Sequence, residues 1–270
     1  TMEAYLKKKD IDYGVGFELS SPTNKPNNEI KELPIHTPNN ILKYYTPKPS
    51  DRIDKVKFRR LGKTEVYQTS HILLNEGVKV NEHQLSLLAS FVDYKSAYSK
   101  GIVGIYSKDN DENILKLLTV YLNSDFMRYY AFLTTSSWGI ERDVVKHKEL
   151  FEAPYLLAQL SEKQKKHIVK LFDEKLFDKE FYTVNKSIEN EINEIILSCI
   201  SENEQYIVQH LLENIELFHK QEKSVSLLPV KEFQVKEYAK IISQEINDFL
   251  DGQELYTNLT VYEISKFTPL

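Results

Sequence analysis

The chain has 270 residues, 41% hydrophobic and 28% charged, with a net charge of −5. This balance reads as a soluble globular protein, long enough for one large domain or two ordinary ones, and it excludes a uniformly basic protein that coats DNA. No apolar run reaches the roughly 18 residues of a membrane span, no signal-peptide pattern opens the chain, and the lone Cys199 excludes an internal disulfide and suits a cytoplasmic setting. One cysteine and seven histidines without ligand spacing give no expectation of a metal site.

The charge is unevenly spread. Residues 1–157 hold 22 Lys and Arg against 20 Asp and Glu, and residues 158–270 hold 13 against 20. Within 43–63, eight cations (Lys43, Lys48, Arg52, Lys55, Lys57, Arg59, Arg60 and Lys63) face only Asp51 and Asp54, with Tyr44, Tyr45 and Phe58 between them. A net +6 interleaved with aromatics is the composition of a phosphate-tracking surface, and equally of a solvated basic loop.

In chain order, residues 1–50 carry six prolines and read as looped or extended, most loop-like at 20–28. Gly14-Val15-Gly16 reads as a turn. Residues 66–80 read as a hairpin turning at Asn75-Glu76-Gly77. Residues 97–107 read as one buried strand, whose two glycines mark a bend or a close backbone approach. Asp109-Asn110-Asp111 caps a single helix over 112–133, with Ile114, Leu117, Leu118, Tyr121, Leu122, Phe126 and Tyr129 at helical spacing. Beyond Pro154 come four helices. Ser161 with Gln164 caps the first, which runs to about Phe177, and a second spans 185–199. Ser201 with Glu204 caps the third, over 205–220, and the fourth covers 235–250. Residues 257–264 alternate as a terminal strand. The fold class is α+β: a mixed α/β domain over 1–157, then a mainly helical region over 158–270 with a terminal strand.

Catalytic signatures are sparse. There is no P-loop, no GxSxG elbow, and no Asn/Asp-Pro-Pro-aromatic loop to polarise an exocyclic amine. Asp93-Tyr94-Lys95, after Ser90-Phe91-Val92, places a carboxylate and a lysine where a metal-dependent nuclease would want them, or where a surface carries them. By elimination the chain binds rather than reacts.

The densest recognition vocabulary lies in 134–142, Thr-Thr-Ser-Ser-Trp-Gly-Ile-Glu-Arg, which holds the only tryptophan. Trp138 reads as a core anchor or a stacking group. Arg142 reads as a phosphate or guanine contact, or as a partner of Glu141 or Asp143. Ser136 and Ser137 read as phosphate ligands or turn caps. This segment, with Leu122-Asn123-Ser124 before it and Leu150-Phe151-Glu152-Ala153-Pro154 after it, resembles the target-recognition region of N6-adenine DNA methyltransferases with a TaqI-like specificity domain, found in restriction–modification and related phage-defence systems. The resemblance covers about 60–157. It implies a non-catalytic fragment of a site-specific adenine DNA methyltransferase that grips duplex DNA. A catalytic domain absent from this sequence would hold S-adenosylmethionine, and no cofactor is expected in the fragment itself. Thr1 ahead of Met2 suits a chain cut after that domain. The DNA-contact candidates are Lys57, Arg59, Arg60, Lys63, Ser136, Ser137, Trp138, Arg142 and Lys146. The expected partners are double-stranded DNA, the catalytic domain in the same chain and a partner subunit, with no membrane. The alternatives are a protein-interaction adaptor working through the acidic helical half, and a metal-dependent nuclease using Asp93 and Lys95.

Overall fold

The structure is a computed structural model and describes residues 1–19, 29–54, 58–81, 84–135, 144–219 and 232–249. In chain order the elements are α1 (Met2–Lys8), β1 (Ile11–Val15), β2 (Ile35–His36), β3 (Tyr44–Tyr45), β4 (His71–Asn81), β5 (Gln84–Val92), β6 (Ala97–Tyr98), β7 (Ile102–Ser107), α2 (Glu112–Leu122), α3 (Asp125–Thr134), α4 (His147–Phe151), α5 (Glu162–Glu174), β8 (Phe177–Asp178), β9 (Thr183–Val184), α6 (Lys186–Leu197), α7 (Glu202–His219) and α8 (Glu232–Phe249). The fold is α+β, as expected. Thr1–His219 form one compact unit and Lys220–Leu270 a second, of which α8 is described. The boundary expected after residue 157 lies inside the first unit: Leu156 and Leu157 share a continuous core with Ile168, Leu171, Ile192 and Ile196 beyond it.

The main sheet among the described residues runs β1-β7-β4-β5-β3, antiparallel except where β3 joins β5 in parallel. Both faces are covered, so the consecutive Ile72-Leu73-Leu74 of its central strand are all buried rather than alternating with polar residues. Ile72 and Leu74 of β4 face a core built with α2, α3, α5 and α6, while Leu73 faces a second core closed by Phe17, Ile41, Ile53, Phe58, Tyr67 and Tyr98.

Several expectations change, each for a local reason. Asn75-Glu76-Gly77 is no turn but a bulge within β4, where Asn75↔Leu88 is followed by Lys79↔Ser86. Asn75 Oδ1 accepts from Gly77 N at 2.9 Å, Glu76 N donates to the Gly101 carbonyl, and Val145 N donates to the Glu76 carbonyl. The helix expected over 112–133 is two helices. Ser124 Oγ caps α3 by accepting from Met127 N, and the buried Asn123 amide, which also donates to the Thr119 carbonyl of α2, bonds both the N–H and the carbonyl of Ala89 in β5, at 3.0 and 2.7 Å. The strand expected over 97–107 is β6 and β7 around a turn at Gly101, whose φ is +93°. The close approach falls at Gly104, where an added Cβ would lie 2.1 Å from the Tyr98 hydroxyl. Gly14 and Val15 belong to β1 rather than to a turn. Residues 1–15, expected as extended or looped backbone, form the helix α1, which departs from that reading, and the extended strand β1, with Met2 and Leu6 buried in the core. The helix expected to reach Phe177 ends at Glu174, and Phe177 starts the short β8–β9 hairpin. The capping boxes at Ser161/Gln164 and Ser201/Glu204 form as expected. The terminal strand expected over 257–264 and the loop over 20–28 lie outside the described residues.

Candidate nucleic-acid interface

The basic run over 43–63 does not form one surface. Tyr44 and Tyr45 make β3, at one edge of the sheet, whereas residues 59–63 run beside β1 at the other. Four strand spacings, about 19 Å, separate the two edges. Lys43 is turned inward onto Glu189 of α6, whose carboxylate also accepts from the Tyr44 hydroxyl at 2.8 Å and from Lys186 at 2.7 Å. Burial pulls Lys43 below its usual range against the attraction of Glu189. Burial alone would raise Glu189, but Lys43 and Lys186 outweigh it and hold the carboxyl at about 2. Lys48 lies over the Tyr94 ring, and Arg52 donates to the carbonyls of Pro49, Ser50 and Asp51. Lys57 lies outside the described residues.

Arg59 and Arg60 do converge. Residues 16–18 continue β1 and are flanked on both sides. Glu18 N donates to the Arg60 carbonyl and Arg59 N to the Glu18 carbonyl, while Phe17 N donates to Tyr98 and Lys100 N to Phe17. Gly16 lies so close to the Ser99 carbonyl that a Cβ would stand 2.1 Å from it, so the β6–β7 turn sits flush against this ribbon. The Glu18 carboxylate therefore receives three cations: Lys100 Nζ at 3.1 Å, Arg60 Nη2 at 3.2 Å and Arg59 Nη1 at 3.7 Å. The Glu18 side chain is 15% exposed, against 68%, 46% and 71% for Arg59, Arg60 and Lys100. The hydrogen bond from Lys100 and the charges of all three cations keep Glu18 ionised below the usual carboxylate range. Three exposed cations around one recessed carboxylate leave a local charge of +2, with the guanidiniums gathered at one point and facing water.

Lys63 lies further along the same ribbon and is paired at 2.6 Å with Asp12. Burial works against the Asp12 charge, but the bonds from Lys63 and the Tyr13 amide hold its carboxyl low. Lys146 is exposed at the N-cap of α4. Ser136, Ser137, Trp138 and Arg142 lie outside the described residues, but both flanks of their segment are placed. Before it, Thr135 Oγ1 bonds the Ala131 carbonyl. After it, Val144 bridges Gly77 in the β4 bulge, and His147 Nδ1 meets Glu76 Oε1 at 2.7 Å. That bond keeps the Glu76 carboxyl below its usual range. Asp93 and Lys95 are exposed, and no group of three or more His, Cys, Asp or Glu among the described residues is placed to hold a metal.

Sequence reasoning missed Lys100, Glu18 and Asp12. The only local signal was Lys100-Gly101 at a turn, because the pairing of residues 18, 60 and 100 is a product of the fold.

No protein-family profile matches the chain, and no curated protein matches it. It is similar to the crystal structure of the HsdS subunit from Thermoanaerobacter tengcongensis, at 10% identity over 82% of this chain and 50% of that one, with a TM-score of 0.30. It is also similar to a structure from work on complex assembly and conformational transition of the type I R-M system, at 11% identity over 79% and 50%, with a TM-score of 0.30. The chain spans about half the length of each. At that TM-score neither likeness carries an argument about fold or role.

Proposed function

We propose that this chain recognises duplex DNA as the target-recognition part of a restriction–modification system, acting with an adenine-N6 methyltransferase whose catalytic domain binds S-adenosylmethionine. The observation that carries the reading is the Arg59–Arg60–Lys100 cluster on Glu18: exposed guanidiniums gathered around a recessed carboxylate suit phosphate oxygens. The Leu122-Asn123-Ser124 and 134–154 resemblance supplies the system. Phosphate contacts release counterions, so duplex binding should fall steeply with salt. Titration of the whole chain against a labelled duplex at two salt concentrations tests the reading. No binding at low salt, or binding without a salt slope, rejects it.

A second reading, a helical adaptor for a protein partner, is favoured by apolar side chains that α7 and α8 leave in solvent, Tyr206 and Ile207 on the one and Tyr238 and Ile241 on the other. Loss of a co-purifying partner on Tyr206→Ser and Ile207→Ser, with DNA binding absent throughout, would select it.

A further inference from the structure

Between α1, β1 and α4 lies a cleft of about 470 Å3, within the ~300–1,000 Å3 usual for small-molecule sites. Leu6, Ile11 and Val15 form apolar walls, and the half-buried ring of Tyr13 lines the cleft. That ring is braced edge-on by Phe151 at 5.0 Å and by His147 at 5.4 Å, and His147 is pinned in turn by Glu76. Three ammonium groups, Lys7, Lys63 and Lys148, also line it. Lys7 is held by Glu3 at 2.9 Å and Lys63 by Asp12 at 2.6 Å, whereas Lys148 is exposed and has no ion pair among the described residues.

A braced aromatic ring, apolar walls and a surplus ammonium together match one ligand chemistry, a planar base joined to a phosphate. A purely apolar ligand would cover the Lys148 ammonium without giving it a partner, and a bare anion would leave the ring and walls unused. The cleft is also joined to the cationic edge. Gly62, at φ +82°, lets residues 59–63 pass against the Val15 carbonyl, where a Cβ would stand 2.3 Å away. Lys63 thus reaches the cleft within about 13 Å of chain from Arg59.

We infer that this cleft binds a nucleotide unit, with its base against Tyr13 and its phosphate at Lys148 and Lys63. The unit comes either from a DNA strand entering from the Arg59–Arg60 edge or from a free nucleoside monophosphate, and the first source rests on the DNA-binding reading above.

The test titrates the whole chain with deoxyadenosine monophosphate by calorimetry and with a labelled duplex by anisotropy. The parent is compared with Tyr13→Leu, Tyr13→Phe and Lys148→Gln, each checked for an unchanged melting transition. Loss of a stacked base should weaken binding at least about fivefold in Tyr13→Leu and leave Tyr13→Phe near the parent. Lys148→Gln, at an exposed position, should flatten the duplex salt slope by about 0.9. Saturable binding of the monophosphate, weakened in Tyr13→Leu and Lys148→Gln, identifies the free nucleotide as a ligand. No monophosphate binding, with duplex affinity falling in both variants, identifies the DNA strand. If neither titration responds to either variant, the inference is overturned. If the parent meanwhile binds duplex with a salt slope that depends on Arg59 and Arg60, the inference fails alone and the DNA-binding reading survives. A parent that binds no duplex overturns that reading instead, and the monophosphate arm then decides the cleft.

Discussion

Replacing Arg59 and Arg60 together by Gln gives the sharpest test of the cationic edge. The side chains are largely exposed, and their ion pairs with Glu18 are of the solvent-screened kind that adds little to folding, so the double variant should fold like the parent. Its effect on DNA should be large. The edge gathers four cations, Arg59, Arg60 and Lys63 on one segment and Lys100 on the adjoining turn. If each neutralises one phosphate, they contribute a salt slope of roughly −3.6, and affinity falls about 150-fold from ~50 to ~200 mM salt. Without the two arginines the slope is roughly −1.8 and the fall about 12-fold. Anisotropy titrations of one duplex across that range read both slopes. Equal slopes in parent and variant would refute the assignment, because a solvated basic face can lose two charges without changing the number of ions displaced. Glu18→Gln supplies the opposite sign: removing the competing carboxylate should tighten low-salt binding if phosphate takes its place.

The remaining predictions concern what holds the interface up. Asn123→Ala removes both bonds to Ala89 and leaves a strand N–H and carbonyl buried without partners, a loss of about 2–4 kcal/mol, readable as a lower urea midpoint at unchanged slope. Glu189→Ala strands Lys43 at the β3–α6 contact and should cost about 3 kcal/mol, whereas Lys43→Met with Glu189→Leu should recover most of it; equal stability of the single and double variants would contradict this account. His36 and His71 are buried and neutral, each lowered by desolvation from 6.5 to about 4. The unfolded chain takes up these protons first, so their contribution is complete above pH 6.5 and is lost as pH falls towards 4, by at most about 3 kcal/mol per histidine. The two losses do not add, since the charge of His71 is itself one cause of the His36 shift. A urea midpoint that stays flat between pH 7 and pH 4.5 would contradict that burial.

Elements defined by local chemistry were legible in the sequence. The capping boxes, the helical period of 112–122 and the glycine pair of 97–107 each act over a few residues. What misled was local chemistry serving a distant partner. Asn75-Glu76-Gly77 has turn composition, yet its Asn side chain bonds Gly77 and the Pro38 carbonyl, and its backbone ties the strand to Gly101 and Val145. Leu122-Asn123-Ser124 reads as the tail of a long helix, but Asn123 docks on Ala89 and Ser124 starts a new helix. One motif of the family resemblance, Leu122-Asn123-Ser124, is thus a joint fixing α2 and α3 to the sheet. The charge run over 43–63 failed differently. Composition counts cations, and the topology sent Lys43 into the core and Arg59 to the opposite edge.

That division explains how an acidic chain can present a cationic edge, the one proposed above to meet phosphate. Net charge sets the far field, whereas contact depends on which cations are fixed and which carboxylates stand in front of them. Here the carboxylates stand behind. Glu18 is recessed beneath Arg59, Arg60 and Lys100, and half-buried Asp12 holds Lys63 beside them. Each acid draws a more exposed base towards it, so under the proposed reading the side chains would meet phosphate partly placed, with less rotamer entropy lost on binding. The same arrangement lowers affinity relative to bare cations, because phosphate must compete with Glu18 and Asp12. Under the DNA-binding reading proposed above, such an edge would bind weakly wherever the fit is partial and gain only where the duplex backbone matches the spacing of its cations, which is the behaviour a target-reading surface needs.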